Sequence, residues 1–310
     1  MRSGTAFINE FGRIRSGWRV VIFLIPVIVF TISATVALTA ILIALGIDTT
    51  AHNALVMALS AFVSLVPAIL FGWVCGRLLE GLPFRALGCW FTPGWLKNLL
   101  LGAVIGAGTI GVAVLLAGVP GGLSFTFDTA NTSKAVGESL VVSLAVFAQA
   151  AAFEEALFRG YVLQTLNRAG LGWLAIGLTS AFFGLAHLAN PAANLISTTN
   201  TVLAGVWFGL AYLKTRDLWF PFGIHLMWNW MQGSILGIEV SGLTEISTAP
   251  LFNEIDRGPA WLTGEHYGIE ASIACTIAIL ISIVTIYFLP GGVGPDKELL
   301  AMTSSETKLI

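Results

Sequence analysis

Residues 20–47 read VVIFLIPVIVFTISATVALTAILIALGI, a run without a single charged side chain. A membrane-spanning helix needs about 20 consecutive apolar residues, because it rises about 1.5 Å per residue across roughly 30 Å of hydrocarbon. Arg13, Arg15 and Arg19 precede the run, as basic residues do in a secretory signal peptide. The run is far longer than the apolar region of such a peptide, so we interpret it as a retained first span.

The composition extends this interpretation to the whole chain. Of the 310 residues, 56% are hydrophobic and only 10% are charged, and the mean hydropathy is +0.86. Soluble domains are about 25% charged. The fold class predicted is therefore all-α, a polytopic transmembrane helical bundle in a lipid bilayer, with a bacterial plasma membrane as the expected location. The net charge of −2 argues against a nucleic-acid partner, and the sequence leaves the oligomeric state open.

Eight stretches combine low charge with enough length to cross the hydrocarbon as helices. They are about 20–47, 54–75, 98–118, 139–166, 171–188, 199–213, 218–237 and 269–289. A count of seven spans remains a second option. The predicted organisation is a cytoplasmic segment 1–19, a transmembrane domain 20–290 with a motif core at 138–237, and a cytoplasmic tail 291–310.

The distribution of Lys and Arg predicts the orientation of the bundle. With eight spans, most of these residues fall on the side that carries both termini, whereas Lys134 and Arg257 fall on the other side. Cytoplasmic loops carry an excess of Lys and Arg, so both termini are predicted to be cytoplasmic. The acidic segment 238–268 is then predicted to be an outward-facing loop.

The fourth stretch contains charges that a membrane helix tolerates poorly. Residues 150–160 read AAAFEEALFRG, and each intramembrane charge costs roughly 2.5–3.5 kcal/mol near the bilayer centre. Glu155 and Arg159 are four residues apart, so they share a helix face and can form an ion pair. Glu154 points about 100° away from Glu155 and has no such local partner. An acid in that position suits a general base in a polar cavity.

Two further stretches contribute polar side chains to the same depth of the membrane. The fifth contains Phe183 and His187, and the seventh contains His225 and Asn229, which are four residues apart and share a face. The fourth and fifth stretches predict a hairpin that turns near 167–172 and brings Glu154 and His187 to nearly equal depth. We therefore predict one polar site in the cytoplasmic half of the membrane, open to that side.

These residues together resemble a known signature. Three motifs carry the likeness: Glu154-Glu155-x-x-x-Arg159, Phe183-x-x-x-His187 and His225-x-x-x-Asn229. In this order they resemble the CAAX protease and bacteriocin-processing (CPBP) family, also called the Abi family, which includes the type II CAAX prenyl endopeptidase. The resemblance implies an intramembrane endopeptidase that cleaves a peptide or protein substrate at the membrane, with bacteriocin processing among the roles of bacterial members.

The resemblance also implies roles for the motif residues. Glu154 and His187 would activate the attacking water, and His225 and Asn229 would stabilise the oxyanion. Phe183 would support the site by packing.

Two features implied by the family concern support and metal binding. Glu155 and Arg159 would form a structural pair that holds Glu154 in place. The family is often described as metalloproteases, and Glu154, His187 and His225 are credible zinc ligands. A metal-free glutamate mechanism uses the same residues, and the sequence leaves both open. No His-Glu-x-x-His motif is present, which excludes the zincin arrangement.

Two other functions remain as hypotheses. Intramembrane acids and histidines also relay protons in proton-coupled transporters, although the internal repeats common in such proteins are absent from this sequence. A non-catalytic membrane immunity or binding protein could retain the same fold.

Overall fold

The computed structural model describes residues 5–49, 54–244, 246–289 and 293–305, and most of them are helical. Each of the eight predicted stretches is helical over most of its length. The helices of the described residues are α1 (Ser16–Ala44), α2 (Ala54–Glu80), α3 (Trp95–Gly118), α4 (Ser133–Glu155), α5 (Leu163–Arg168), α6 (Gly172–Ala186), α7 (Leu195–Thr215), α8 (Trp219–Trp230), α9 (Ala260–Thr263), α10 (Ile273–Phe288) and α11 (Lys297–Thr303).

Helix length separates the predicted spans into two groups. Four helical stretches of the described residues are long and apolar enough to cross a membrane. They are Ser16–Ala44, Val56–Glu80, Trp95–Gly118 and Ser133–Arg168. The apolar helices α6 and α10 have only 15 and 16 residues, about 22–24 Å at about 1.5 Å per residue, which is less than the hydrocarbon thickness. The prediction of eight spans is therefore not confirmed.

The predicted all-α fold class is confirmed, and one small sheet accompanies the helices. Strand β1 (Leu123–Phe127) pairs antiparallel with strand β2 (Phe252–Asp256), and Phe127 lies opposite Phe252 with ring centroids 4.6 Å apart. The sequence of β1, LSFTF, alternates apolar and polar residues as a strand does. The sheet ties the α3–α4 connection to segment 238–268, which is a folded segment rather than a simple loop.

The longest helical stretch contains a change of helix type at the candidate site. Helix α4 ends at Glu155, a π-helical turn follows over Ala156–Val162, and α5 continues to Arg168. A short turn then leads into α6, so the predicted hairpin is confirmed. Single π-helical turns inside α-helices are often found at functional sites, because the extra residue changes the direction of the following side chains.

Close packing of α3 against α8 positions the polar residues of α8. A Cβ atom at Gly102, Gly106 or Gly223 would collide with a backbone oxygen of the opposite helix. Small residues allow helix backbones to approach closely inside membranes, where packing drives association. The side chains of α8 are therefore held at a fixed distance from the rest of the bundle.

The described residues near the two termini lie against the same end of the bundle. The backbone oxygen of Thr303, in α11, accepts hydrogen bonds from Asn167 and Arg216, and Glu298 of α11 pairs with Arg85 at 2.5 Å. The tail predicted at 291–310 therefore contains a packed helix. The side of the membrane on which this end lies stays a prediction.

Candidate active site

The four residues predicted to be catalytic line one cavity of about 300 Å³, and they come from three separate elements of the bundle. They are Glu154, His187, His225 and Asn229. Phe183 lines the same cavity. Residues more than 70 positions apart in the chain are thus brought to one place, as the two histidines and the acid require for joint chemistry.

Glu154 offers a carboxylate oxygen that the protein does not use. Its Oε2 atom lies 3.6 Å from Nε2 of His225, and its side chain is 24% exposed. Within the described part of the chain, this oxygen has no hydrogen-bond partner. A carboxylate next to an imidazole, with a free acceptor in a cavity, can bind and deprotonate a water molecule.

His225 is oriented by Glu155 from the opposite side of its ring. Its Nδ1 atom lies 3.0 Å from Oε1 of Glu155, and its ring stacks on Phe208 with centroids 4.6 Å apart. An ionised carboxylate can only accept, so Nδ1 carries a proton and donates it to this bond. This fixes the ring so that Nε2 faces Glu154 and the cavity.

The role expected for the Glu155–Arg159 pair is therefore corrected. The two side chains do pair, with Nη1 of Arg159 3.1 Å from Oε1 of Glu155, and both are buried. Glu155 bonds His225 on α8, however, and not Glu154. Consecutive residues on a helix point about 100° apart, so Glu155 reaches the neighbouring helix while Glu154 reaches the cavity.

Phe183 supports the arginine as well as the cavity wall. The guanidinium carbon of Arg159 lies 4.8 Å from the centroid of the Phe183 ring and 5.1 Å from that of Phe208. Nη2 of Arg159 also donates to the backbone oxygen of Gly205 at 3.2 Å. Aromatic faces attract cations, most strongly where water is excluded. The ring of Phe158 is a third neighbour, with its centroid 5.7 Å from the guanidinium carbon, so one carboxylate, one carbonyl and three rings surround the buried charge.

His187 directly follows the last residue of α6, and one of its two ring nitrogens has a hydrogen-bond partner. Its Nδ1 atom is 2.8 Å from the backbone oxygen of Phe183. A carbonyl oxygen only accepts, so Nδ1 carries the proton and Nε2 is left as a lone-pair acceptor. An acceptor nitrogen of this kind can orient a water molecule beside Glu154.

A comparison with protein families supports the resemblance. Residues 136–231 match the family model described as type II CAAX prenyl endopeptidase Rce1-like. Over these residues, about a third of the chain, the protein is similar to the CAAX protease family, in agreement with the motif resemblance. The matched segment contains all three motifs, and together with the four long apolar helices it indicates an integral membrane protein of protease type. A comparison with curated proteins gives no match.

The cavity has a second acidic residue that was not predicted from the sequence. Glu270 lines the cavity, and its Oε1 accepts from Nε1 of Trp228 at 3.2 Å. Its Oε2 accepts from the backbone N–H and the hydroxyl of Ser241, at 2.6 and 2.9 Å. Its place inside the predicted span 269–289 was the available clue, because that is the criterion that singled out Glu154.

The position of the cavity differs from the prediction of a site in the cytoplasmic half that opens to that side. Segment 238–268, predicted to be an outward loop, contributes Val240, Ser241, Leu243 and Ile246 to the cavity wall. The prediction used helix rise alone and treated this segment as solvent-exposed. In the structure, the segment folds back onto the bundle and forms one side of the site.

The donor atoms in the cavity do not form a zinc site of the expected kind. Zinc requires three or four ligands at about 2.0–2.3 Å, and among the described residues no group of three His, Cys, Asp or Glu side chains could hold a metal ion. Nδ1 of His225 already donates to Glu155. Zinc binding by Glu154, His187 and His225 stays a prediction.

Proposed function

We propose that this protein is an intramembrane endopeptidase that hydrolyses a peptide bond of a membrane-associated peptide or protein in the bacterial plasma membrane. The observation that carries the proposal is the carboxylate of Glu154, which lines the cavity and has an oxygen without a hydrogen-bond partner 3.6 Å from Nε2 of His225. The family match supports the same class of reaction.

Glu154 and the acceptor nitrogen of His187 bind the attacking water in this mechanism. Glu154 removes a proton as the water oxygen attacks the carbonyl carbon of the substrate, which creates a tetrahedral oxyanion. Glu154 then returns the proton to the leaving amine as the C–N bond breaks. One residue thus acts as base and then as acid.

His225 and Asn229 stabilise the oxyanion. The protonated imidazolium of His225 donates from Nδ1 to Glu155 and from Nε2 into the cavity, where Glu154 is its neighbour in the free enzyme. Asn229, one turn further along α8, adds an amide donor on the same cavity wall. Removal of one such donor lowers kcat by about 10²–10³-fold in well-studied cases.

The substitution Glu154→Gln tests the proposal, because it keeps the shape of the side chain and removes its basicity. We expect cleavage by the purified full-length protein to fall by about 10²–10⁴-fold, the usual contribution of a general base. Mass spectrometry of membrane peptides from cells that express either form identifies the products.

Glu138→Gln is the matched control, since Glu138 lies on the same helix, with a side chain 66% exposed and paired with Lys134. Equal product levels from wild type and Glu154→Gln would contradict the protease function. A membrane phenotype that persists in Glu154→Gln while cleavage is lost would indicate a separate binding or immunity role. Metal analysis of the purified protein tests the zinc prediction independently.

A further inference from the structure

Within the part of the chain that the structure describes, the cavity is lined by acidic side chains but not by Lys or Arg. Among the described residues that line it are two acids, Glu154 and Glu270, and two histidines, but no Lys or Arg. Arg159 lies nearby, yet it is buried against Glu155 and does not contribute to the cavity wall. Carboxylates taken out of bulk water are unfavourable unless an opposite charge or hydrogen bonds compensate them.

Three hydrogen bonds hold the carboxyl group of Glu270 in place. Three donors point at its carboxylate, Nε1 of Trp228 and the N–H and hydroxyl of Ser241. An ionised carboxylate offers about four lone-pair sites, so one acceptor position remains for a ligand. The residue is partly accessible and lines the cavity, which leaves that position open to a molecule bound there.

The backbone around Glu270 fixes the carboxylate on both sides. Nδ2 of Asn200 donates to the backbone oxygens of Glu270 and Ser272, each at 2.8 Å. Ser241 has φ of 52°, a left-handed conformation that costs free energy for residues other than glycine. In this conformation its N–H and hydroxyl both reach Glu270. A strained residue is retained where it serves a site.

We propose that Glu270 binds a positively charged side chain, Lys or Arg, of the substrate next to the scissile bond. The inference rests on the proposed function, which it deepens by naming a substrate class. Glu154 is occupied by the water and His225, so Glu270 is the cavity's free anionic acceptor. Glu270 also lies outside the segment 136–231 that matches the family model, so this selectivity would not follow from the matched motifs.

The test uses the full-length protein in lipid vesicles and sets of quenched peptides. Members of a set differ only at one position beside the scissile bond, which carries Lys, Arg, Gln, norleucine or Glu. We expect wild type to show kcat/KM at least about tenfold higher for Lys or Arg than for Gln or norleucine, the order expected for one desolvated charge pair, with Glu slowest. In Glu270→Gln the ratio should fall to near one.

The control variant is Glu239→Gln. Glu239 is an acid of segment 238–268 that does not line this cavity, so this variant should keep the preference for Lys or Arg. A second arm measures binding of the same peptides to Glu154→Gln and to the double variant Glu154→Gln/Glu270→Gln. A charge preference in binding that disappears in the double variant supports the inference even if nothing is cleaved, in which case only the proposed function fails. Cleavage of charged and neutral peptides at equal rates, or a preference that persists in Glu270→Gln, would overturn the inference alone.

Discussion

Two groups of buried glutamate and arginine side chains share the helical stretch of α4 and α5, and they differ in what the glutamate contacts. Glu155 pairs with Arg159 and also with His225, which faces the cavity. At the other end of the stretch, Arg168 pairs with Glu80 of α2, which in turn pairs with Arg19 of α1 and accepts from Thr165. The other three partners named here, Arg19, Arg159 and Arg168, are all arginines.

The difference teaches how to separate a functional ion pair from a structural one. Both groups are buried, with side chains 0–1% exposed, so burial and charge alone do not distinguish them. The distinguishing contact is the imidazole that links Glu155 to a cavity. A substitution at Glu155 should therefore lower catalysis as well as stability, whereas a substitution at Glu80 should lower stability and leave catalysis unchanged.

The largest expected effect is the loss of activity in Glu155→Gln. Without the negative charge, His225 loses the partner that holds its protonated ring, and Arg159 is left without its carboxylate. We expect kcat/KM to fall by about 10³–10⁴-fold, as happens when the carboxylate that orients a catalytic histidine is neutralised. The measurement is peptide cleavage in vesicles, with the melting temperature recorded on the same sample. If the activity of Glu155→Gln stayed within a factor of three of wild type, the distinction between a functional Glu155 group and a structural Glu80 group would be wrong.

The next largest effect is the loss of stability in Glu80→Gln. Arg19 and Arg168 would remain buried without their shared carboxylate, and breaking a buried pair costs about 3–5 kcal/mol. We expect a clearly lower melting temperature in detergent, measured with Glu138→Gln as the exposed control. The kcat of the folded fraction should stay close to that of wild type, and a selective loss of kcat would show that the Glu80 group also serves the site.

The smallest expected effect is a pH dependence of stability, and it comes from Glu254, an acid that belongs to neither group. The pKa of Glu254, on β2 and outside the spans, is raised to about 8 by burial and by the charges of Glu239 and Asp256. Because the pKa in the folded state is above its ordinary value of 4.5, its contribution to stability is present below pH 4.5 and is lost as the pH rises through 8.

We therefore expect wild type to melt about 2–4 °C lower at pH 9 than at pH 6.5, the size of about 1 kcal/mol. Glu254→Gln should lose much of this difference, and Glu138→Gln should keep it. An unchanged pH dependence in Glu254→Gln would show that other groups titrate.

The sequence predicted those parts of the site that depend on local geometry. The spacing of Glu155 and Arg159 predicts their pairing, because residues four apart share a helix face. The hairpin between α5 and α6 was predicted from two consecutive apolar stretches joined by a short connection near 167–172. The gathering of Glu154, His187 and His225 was a hypothesis from motif resemblance, and the structure brings all three to one cavity.

The parts that the sequence could not predict depend on contacts between distant segments. The bond between Glu155 and His225 needs the relative rotation of two helices, which spacing within one helix does not specify. Glu270 lies inside the predicted span 269–289, and its place in the cavity depends on how segment 238–268 folds back, because Ser241 of that segment donates to its carboxyl group. The sheet of β1 and β2 joins strands more than 120 residues apart, and the sequence of one strand does not indicate which segment pairs with it.

The π-helical turn at Ala156–Val162 has a consequence for tolerated chain length. It lies between Glu155, which must meet His225, and Arg168, which must meet Glu80. Deletion of one residue in this turn would rotate everything beyond it by about 100° and shift it by about 1.5 Å, so one of the two meetings would be lost. The stretch from α4 to α5 should therefore tolerate substitutions in the π-helical turn but not the deletion of a residue.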